Sequence, residues 1–195
     1  MIYNINMNNN KITKIDKISS LKYLEKLSLT NNDISSIDNC INNKRLRFLF
    51  LGHNKISKID NISTEIPFIE EIILCQNKIT SLPNKIYLPD LKFLDLNENK
   101  ISLDKNSQNL FYFICPSLEK LLLLGNNLNE NGTHFLIKYC PKLKEIDLSF
   151  NKFNDIIELV KILSINSDWN NNLEMINIVG NIFLIITKIK IYFIY

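Results

Sequence analysis

Asp95 and Asp147 are the residues whose type and placement come nearest to catalytic chemistry in this chain. Each stands between two apolar residues at the same place in two similar segments, and stacked carboxylates can in principle act as acid and base. No nucleophile or base accompanies them, and the glycine-rich, phosphate-binding and serine-hydrolase motifs are missing from the sequence. We therefore interpret both aspartates as solvated or partner-facing charges. We predict a protein that is not an enzyme and takes no cofactor.

Histidine and cysteine, the usual ligands of transition metals, are not spaced for metal binding. His53 and His134 are far apart, and the four cysteines include no Cys-x-x-Cys pair. Cys115 and Cys140 each precede a proline and lie three residues before the leading leucine of a repeated segment, so their repetition indicates packing. We predict no metal site, and reduced, buried core thiols at these two positions.

A repeated sequence pattern determines where these residues lie in the fold. Each copy has apolar residues at positions one, four and six, an asparagine at nine and a further apolar residue at eleven. The copies begin at Ile2, Leu24, Leu46, Ile69, Leu91, Leu118, Leu143 and Leu173. Their ninth residues are Asn10, Asn32, Asn54, Asn77, Asn99, Asn126, Asn151 and Asn181. Self-similarity of this kind predicts a solenoid, in which each repeat buries its apolar face only against its neighbours.

The recurring asparagine is predicted to be structural. At position nine the chain turns away from a strand, and an amide side chain both donates and accepts hydrogen bonds. It can therefore satisfy backbone groups of its own loop and of the neighbouring one, each of which costs about 1 to 3 kcal/mol if buried without a partner. We expect the eight asparagines to form a ladder along the solenoid.

Positions three to seven of each repeat alternate between apolar and variable residues, which is typical of a strand with one buried face. Leu94 and Leu96 are expected to point into the core, and Phe93, Asp95 and Asn97 away from it. Stacked in order, these strands would form one parallel sheet. The bulkier elements between the repeats would lie behind the sheet and curve the stack, which makes the sheet the concave face.

The spacing of the asparagines predicts what lies on the convex side. The first gaps are 22, 22, 23 and 22 residues, which leave room only for turns or a 3₁₀ turn, and the later gaps are 27, 25 and 30. The longer gaps carry apolar residues at helical spacing. Two predicted helices include Leu110, Phe111, Ile114 and Cys115, and then Phe135, Leu136, Tyr139 and Cys140. A third includes Ile156, Ile157, Val160 and Leu163, with Asn154 or Asp155 as its N-cap.

The outward positions of the strands differ from repeat to repeat, unlike the leucine and asparagine positions. They are small and polar in the first two repeats and become aromatic, aliphatic and acidic later. The predicted partner-binding residues are Phe48, Phe50, Glu71, Ile73, Phe93, Asp95, Leu122, Leu124, Glu145 and Asp147.

Four of these residues are predicted to form one apolar patch. They are Phe48, Phe50, Ile73 and Phe93, with Glu71 and Asp95 flanking them. Adjacent strands lie about 4.8 Å apart, so the four side chains would be contiguous. Aromatic anchors ringed by charge are typical of the centre of an interface. Sequence drift, or a loop folded over this face, would also leave apolar residues there.

The pattern resembles that of known leucine-rich repeat proteins. Leu21-x-x-Leu24-x-x-Leu27-x-Leu29-x-x-Asn32 is similar to the 22-residue repeats of the nuclear regulatory subunit of type-1 protein phosphatase. Residues 139–151 resemble repeats of the acidic leucine-rich nuclear phosphoproteins and of tubulin-folding cofactor E. The resemblance implies an α/β leucine-rich repeat solenoid of about eight repeats, and a binding protein without chemistry of its own. The chain departs from these families because it has no acidic tail and no Tyr-rich helical cap.

The two ends of the sequence differ from the repeats. Residues 1–181 form the predicted array, and residues 182–195 form an apolar tail with two lysines. This tail is shorter than the about 20 apolar residues of a membrane-spanning helix. Three interpretations fit it: a cap or final strand, the product of a read-through or mispredicted gene end, or a segment that binds a membrane surface or a partner. The polar, Asn-rich start lacks a secretory signal, so we expect an intracellular protein, cytoplasmic or nuclear.

The charge of the chain indicates which classes of partner to expect. The chain has 195 residues and a net charge of +3, without a run of five basic residues, so no nucleic acid partner is expected. No small-molecule substrate is expected either. We predict a protein-interaction scaffold, either regulatory or adaptor in role, that binds a protein on its concave face. The alternative is an architectural spacer of a larger cytoskeletal or spliceosomal assembly that uses its ends and convex face.

Overall fold

The computed structural model describes residues 1–37, 41–103, 112–130, 138–164 and 172–182. Ten strands of three residues lie in this part of the chain. In chain order they are β1 (Asn4–Asn6), β2 (Lys26–Ser28), β3 (Phe48–Phe50), β4 (Glu71–Ile73), β5 (Lys85–Tyr87), β6 (Phe93–Asp95), β7 (Tyr112–Ile114), β8 (Lys120–Leu122), β9 (Glu145–Asp147) and β10 (Met175–Asn177). Eight of them form one parallel sheet in the order β1-β2-β3-β4-β6-β8-β9-β10. The predicted parallel-sheet solenoid is therefore confirmed.

The core lies behind this sheet and is built from the same position of each repeat. The middle residue of each strand faces inward, and Leu49, Ile72 and Leu121 of successive repeats are fully or almost fully buried. The next inward residue, two positions further along, is buried as well, as at Leu51 and Leu96. Alternation along the strand thus gives each repeat an apolar edge that only the next repeat can cover.

The chain leaves the sheet through a left-handed residue directly before each ladder asparagine. Eight such residues have φ between 51° and 73°, namely Asn9, Asn31, His53, Gln76, Glu98, Gly125, Phe150 and Gly180. Only Gly125 and Gly180 adopt this conformation without a steric penalty from Cβ. At the other six positions the penalty is about 1 to 2 kcal/mol, and it persists because the following asparagine holds the turn.

The convex side carries short elements between the repeats. They are a 3₁₀ helix (Ile18–Ser20), α1 (Ile62–Glu65) and α2 (Ile156–Ser164). A second parallel sheet joins β5 to β7, and Tyr139 extends it through a bridge to Ile114. Ile86 and Phe113 point from it into the core, whereas Tyr87 and Tyr112 are exposed. The sequence pattern does not predict this second sheet.

The predicted helix through Ile114 and Cys115 is wrong, because the described part of that segment is strand β7 and the loop that follows it. Leu110 and Phe111 lie outside the described residues. The second predicted helix is likewise not continued at its described end, where Tyr139 forms a strand-like bridge and Cys140 follows it. Phe135 and Leu136 lie outside the described residues.

The third predicted helix is confirmed as α2. Asp155 is its N-cap, and its Oδ1 atom accepts hydrogen bonds from the backbone N–H groups of Ile157 (2.9 Å) and Glu158 (3.0 Å). Its buried face differs from the predicted one, because Leu159 is buried while Ile157 and Val160 are exposed. Across the described ranges, no helix is both long and apolar enough to cross a membrane.

Two buried glutamates fasten the convex loops of neighbouring repeats. The Glu65 carboxylate accepts the backbone N–H groups of Ile41 (3.0 Å) and Asn42 (3.2 Å). The Glu130 carboxylate accepts those of Asn154 (2.6 Å) and Asp155 (2.7 Å). These contacts satisfy loop donors that the asparagine ladder does not reach.

Candidate functional site

The candidate site is the outward face of the eight-stranded sheet, which we call the concave face. It comprises the first and third residues of each strand and the residue two positions further on. Strand register aligns these residues in rows across the sheet. The first row runs from Asn4 through Lys26, Phe48, Glu71, Phe93, Lys120 and Glu145 to Met175. The second runs from Asn6 through Ser28, Phe50, Ile73, Asp95, Leu122 and Asp147 to Asn177.

All ten residues predicted to bind a partner lie on this face, and all are partly exposed. Their ability to bind stays a prediction. We call Phe48, Phe50, Ile73 and Phe93 the central patch. Phe50 and Ile73 are direct neighbours in the second row, but Glu71 lies between Phe48 and Phe93 in the first. Glu71, predicted to flank the patch, thus lies next to two of its residues, because β4 falls between the two phenylalanine strands.

Lysine side chains of the same face lie against the aromatic rings. The Lys26 Nζ atom is 4.8 Å from the centroid of the Phe50 ring, and the Lys120 Nζ atom is 6.0 Å from that of Phe93. Lys120 also forms an ion pair with Glu145, with 2.7 Å between Nζ and Oε2. Both ammonium groups thus have partners within the face.

Asp95 and Cys75 interact at the centre of the face. Burial raises the pKa of the Asp95 carboxyl, although its Oδ1 atom accepts the backbone N–H of Asn97 at 2.9 Å. Burial, and then the nearby Asp95 charge, raise the pKa of the Cys75 thiol to about 11. Cys75 is half-buried on the concave face, at the outward position two residues after Ile73. A thiol with this pKa is protonated at neutral pH and is a poor nucleophile.

Asp147 is held by hydrogen bonds rather than placed for proton transfer. It accepts hydrogen bonds from the hydroxyl and backbone N–H groups of Ser149, and from the Asn177 amide at 3.2 Å. Leu122 lies between Asp95 and Asp147 in the second row, so the two aspartates are two strands apart. Stacked carboxylates sharing a proton are therefore not formed.

Glu71 differs from the other acidic residues of the face. Within the described ranges its carboxylate has neither a hydrogen bond nor an ion pair, although its side chain is partly buried between two phenylalanines. Its backbone is fixed, because its N–H group donates to the carbonyl of Arg47 at 3.0 Å. The strand therefore holds, at the centre of the first row, a carboxylate that is unpaired among the described residues.

The asparagine ladder borders the face on the side where the strands end. Asn77 shows the repeated geometry: its Nδ2 atom donates to the carbonyls of Leu51 (2.9 Å) and Leu74 (3.0 Å), and its Oδ1 atom accepts the N–H of Ile56 at 3.0 Å. Equivalent bonds recur at Asn32, Asn54, Asn99, Asn126 and Asn151, all of which are buried. The predicted structural geometry is present, with Asn10 exposed and Asn181 partly buried.

A second ladder, which the sequence analysis missed, borders the face where the strands begin. We call it the charge ladder, and it consists of Glu25, Arg47, Glu70, Lys92, Glu119, Lys144 and Glu174. From Arg47 onward, the backbone N–H of each member donates to the carbonyl of the preceding member at 2.8 to 2.9 Å. Acidic and basic residues alternate without exception. Aligning position two of the repeats would have revealed it.

Ion pairs connect several members of the charge ladder. Glu70 pairs with Lys92 (2.7 Å) and with Arg47 (3.4 Å), and Glu119 pairs with Lys144 (2.8 Å). The hydrogen bond and charge of Glu70 raise the pKa of Lys92, and those of Lys144 lower the pKa of Glu119. Glu119 in turn raises the pKa of Lys144. With four acidic and three basic members, the opposite charges of this border largely cancel.

The remaining residues singled out from the sequence do not assemble a reactive site. His53 occupies one of the left-handed turns, and His134 lies outside the described residues. Cys115 and Cys140 are reduced thiols and fully buried, as predicted, and Cys40 lies outside the described residues. In the described part of the chain, no group of three or more histidine, cysteine, aspartate and glutamate residues could hold a metal ion.

Sequence comparison identifies the repeat in part of the chain. The family model described as leucine-rich repeats (2 copies) matches residues 24–64. No curated protein sequence matches the chain significantly.

Similar solved structures cover most of the chain. The plant peptide hormone receptor RGFR1 in complex with RGF2 has a TM-score of 0.65 and 22% identity over 92% of this chain and 28% of its own. An octameric complex of Latrophilin 3, Unc5D and FLRT2 (LRR) gives 0.62 and 18% over 92% of this chain and 61% of the matched chain. An internalin from Listeria monocytogenes gives 0.52 and 20%, with coverages of 92% and 55%. This chain thus spans less than two thirds of each structure's length.

The repeated sequence pattern, the order of strands in the main sheet and the similar solved structures all indicate the same fold. The chain has the leucine-rich repeat fold.

Proposed function

We propose that this chain is a non-enzymatic scaffold that binds a protein partner on its concave face. The observation that carries the proposal is the central patch. Its four apolar side chains are partly exposed, although the inward residues of the same strands, such as Leu49 and Ile72, already supply the core. Apolar and aromatic residues that the core does not require are typical of an interface centre.

Two similar structures support this class of function. The plant receptor is a peptide hormone receptor in complex with RGF2, and FLRT2 is part of an octameric protein complex. Both matched chains are longer than this one, so the identity and size of a partner do not follow from them. The regulatory or adaptor role remains part of our proposal.

An architectural role is the second candidate, and the second sheet favours it. Tyr87 is 52% exposed and Tyr112 is 44% exposed on the convex side, where the Tyr139 ring lies 6.4 Å from that of Tyr112. A spacer that packs through its back would use these tyrosines rather than the central patch.

We also propose an intracellular location. The reduced, buried thiols of Cys115 and Cys140 support it, because disulfides rather than thiols are common in secreted proteins.

The double variant Phe48→Ser/Phe93→Ser tests the concave site against the convex one. We expect it to lose protein partners that the wild-type chain captures from native lysate, while its thermal unfolding by circular dichroism changes little. The matched control Tyr87→Ser/Tyr112→Ser removes two exposed aromatic residues from the other side and should retain those partners. Crosslinks should fall near Lys26 and Lys120 rather than near Lys85 and Lys138. The reverse pattern would support the spacer instead.

A further inference from the structure

We propose that Glu71, between Phe48 and Phe93, binds an arginine side chain of the partner. This inference rests on the proposed function and specifies its chemistry. Strand register aligns the three residues on β3, β4 and β6, and all three side chains are partly exposed on the concave face. The site thus consists of one carboxylate with an aromatic ring on either side.

The first support is that, among the described residues, Glu71 has no partner where the comparable acidic residues have one. Asp95 accepts the N–H of Asn97, Glu145 pairs with Lys120, and Asp147 accepts from Ser149. Glu71 has no such contact within the described ranges. Its neighbours across the sheet are apolar, and a partly buried carboxylate in such surroundings gains from a cation that replaces its lost hydration.

The second support is that the same face already places cations against phenylalanine rings. Lys26 lies over Phe50 at 4.8 Å and Lys120 lies over Phe93 at 6.0 Å. Both lysines belong to the first row, two strands away from Glu71 on opposite sides. Because each is engaged elsewhere, neither neutralises Glu71, and the cation must come from outside the described part of the chain.

The third support is the charge of the face as a whole. The concave face carries four carboxylates and two ammonium groups, belonging to Glu71, Asp95, Glu145, Asp147, Lys26 and Lys120. Its net charge is therefore negative, although that of the chain is +3. A basic segment would be attracted to this face in preference to the rest of the surface.

Arginine fits the site better than lysine for geometric reasons. Phe48 and Phe93 are two strand spacings apart, about 9.6 Å at the backbone, which leaves room for a flat group between the rings. A guanidinium is planar, stacks on aromatic faces and can donate two parallel hydrogen bonds to one carboxylate. An ammonium group is compact and more strongly hydrated, so it gains less from the two rings.

The test titrates the full chain with N-acetyl-arginine methylamide and follows Phe48, Glu71 and Phe93 by NMR. The lysine analogue and the uncharged, similarly shaped citrulline analogue are titrated in parallel. We expect saturable shifts at these three residues with arginine, with a Kd on the order of 10 mM that weakens as salt is added. The variant Glu71→Gln should lose this binding by at least about tenfold. The matched variant Glu70→Gln, one residue earlier but in the charge ladder, should retain it.

Several results would overturn the assignment. They are equal shifts with citrulline or lysine, no arginine-dependent shifts, or unchanged binding in Glu71→Gln. Partner capture separates this failure from that of the proposed function. If Phe48→Ser/Phe93→Ser loses the partner while Glu71→Gln keeps it, the concave face binds but the arginine assignment is wrong. If both variants keep the partner, the proposed function itself is wrong.

Discussion

The asparagine ladder and the charge ladder both stack one side chain per repeat, yet the first repeats a single residue type and the second alternates two kinds. The ladders border opposite ends of the same strands. The inner members of the first, such as Asn77, are buried and bond to backbone groups, whereas members of the second, such as Lys92, are exposed or partly exposed, and several form ion pairs with one another.

The difference follows from what each side chain can do for a copy of itself. An amide both donates and accepts hydrogen bonds. The same asparagine can therefore donate to backbone carbonyls of one loop and accept a backbone N–H of the neighbouring loop. A charged group repels its copy, so a stack of charges is favourable only if the sign changes at each step. A stack of amide side chains is therefore indicated by one residue type that recurs in every repeat. A stack of charged side chains is indicated by acidic and basic residues that alternate from repeat to repeat.

The largest expected effect comes from placing a charge in the amide ladder. Asn99→Asp removes the donors that now reach the carbonyls of Leu74 (3.0 Å) and Leu96 (3.1 Å), and it directs a carboxylate at those oxygens. We expect a loss of about 3 to 5 kcal/mol in the free energy of unfolding at neutral pH, measured by urea denaturation.

This loss should depend on pH in a defined direction. Burial would raise the folded-state pKa of the new carboxyl above its unfolded value of about 3.9, so stability is highest below that value and falls as pH rises through the folded pKa. The control Asn10→Asp changes an exposed member whose hydrogen bonds, in the described part of the chain, lie within its own turn, and it should cost less than about 1 kcal/mol. Equal losses at both positions would contradict the ladder's structural role.

A moderate effect is expected from breaking the alternation. Lys92→Glu places a third carboxylate between Glu70 and Glu119 and removes the 2.7 Å ion pair with Glu70. We expect a lower thermal midpoint than wild type at low salt, with a difference that shrinks near 1 M salt, where the Debye length is about 3 Å. Lys78→Glu is the control, since Lys78 is exposed and has no ion pair in the described part of the chain. A salt-independent loss in Lys92→Glu would show that packing is responsible.

The smallest effect concerns the titration of Glu119, whose pKa the Lys144 ammonium lowers. A depressed folded-state pKa contributes stability above the unfolded pKa, and this contribution is lost as pH falls through the folded value. In Lys144→Gln the pKa of Glu119 should rise toward its usual value of about 4.3, as measured by NMR. An unchanged pKa would mean that the pair is not formed in solution.

The sequence predicts the main sheet because its determinants repeat. Leucine and asparagine at fixed positions define the strand, the turn and the core together. Where the pattern of one repeat is weak, the other repeats still predict its structure. The convex elements lack this redundancy. Ile114 and Cys115 fit helical spacing, but β7 needs only Phe113 to face the core, and a strand of three residues leaves too little pattern to recognise.

The concave face shows the same limit at the level of side chains. Alternation alone assigns all ten candidate residues to the correct face. It does not show that Lys120 is engaged by Glu145 or that Glu71 has no partner, because these depend on rotamers of long side chains. The charge ladder can be predicted from the sequence, but only when the repeats are aligned with one another. Its members lie too far apart along the chain to form a local pattern.

The order of strands in the main sheet also bears on how the chain acquires its structure. Paired residues lie from 22 positions apart, as at Asn4 and Lys26, to 30 positions apart, as at Glu145 and Met175. Closing loops of such similar length costs similar entropy, since each doubling adds only about 0.6 kcal/mol. Each strand of the main sheet therefore pairs with one that is close in sequence. The free edge of the newly paired strand is then available to the following strand. Such an array can assemble progressively as it is synthesised.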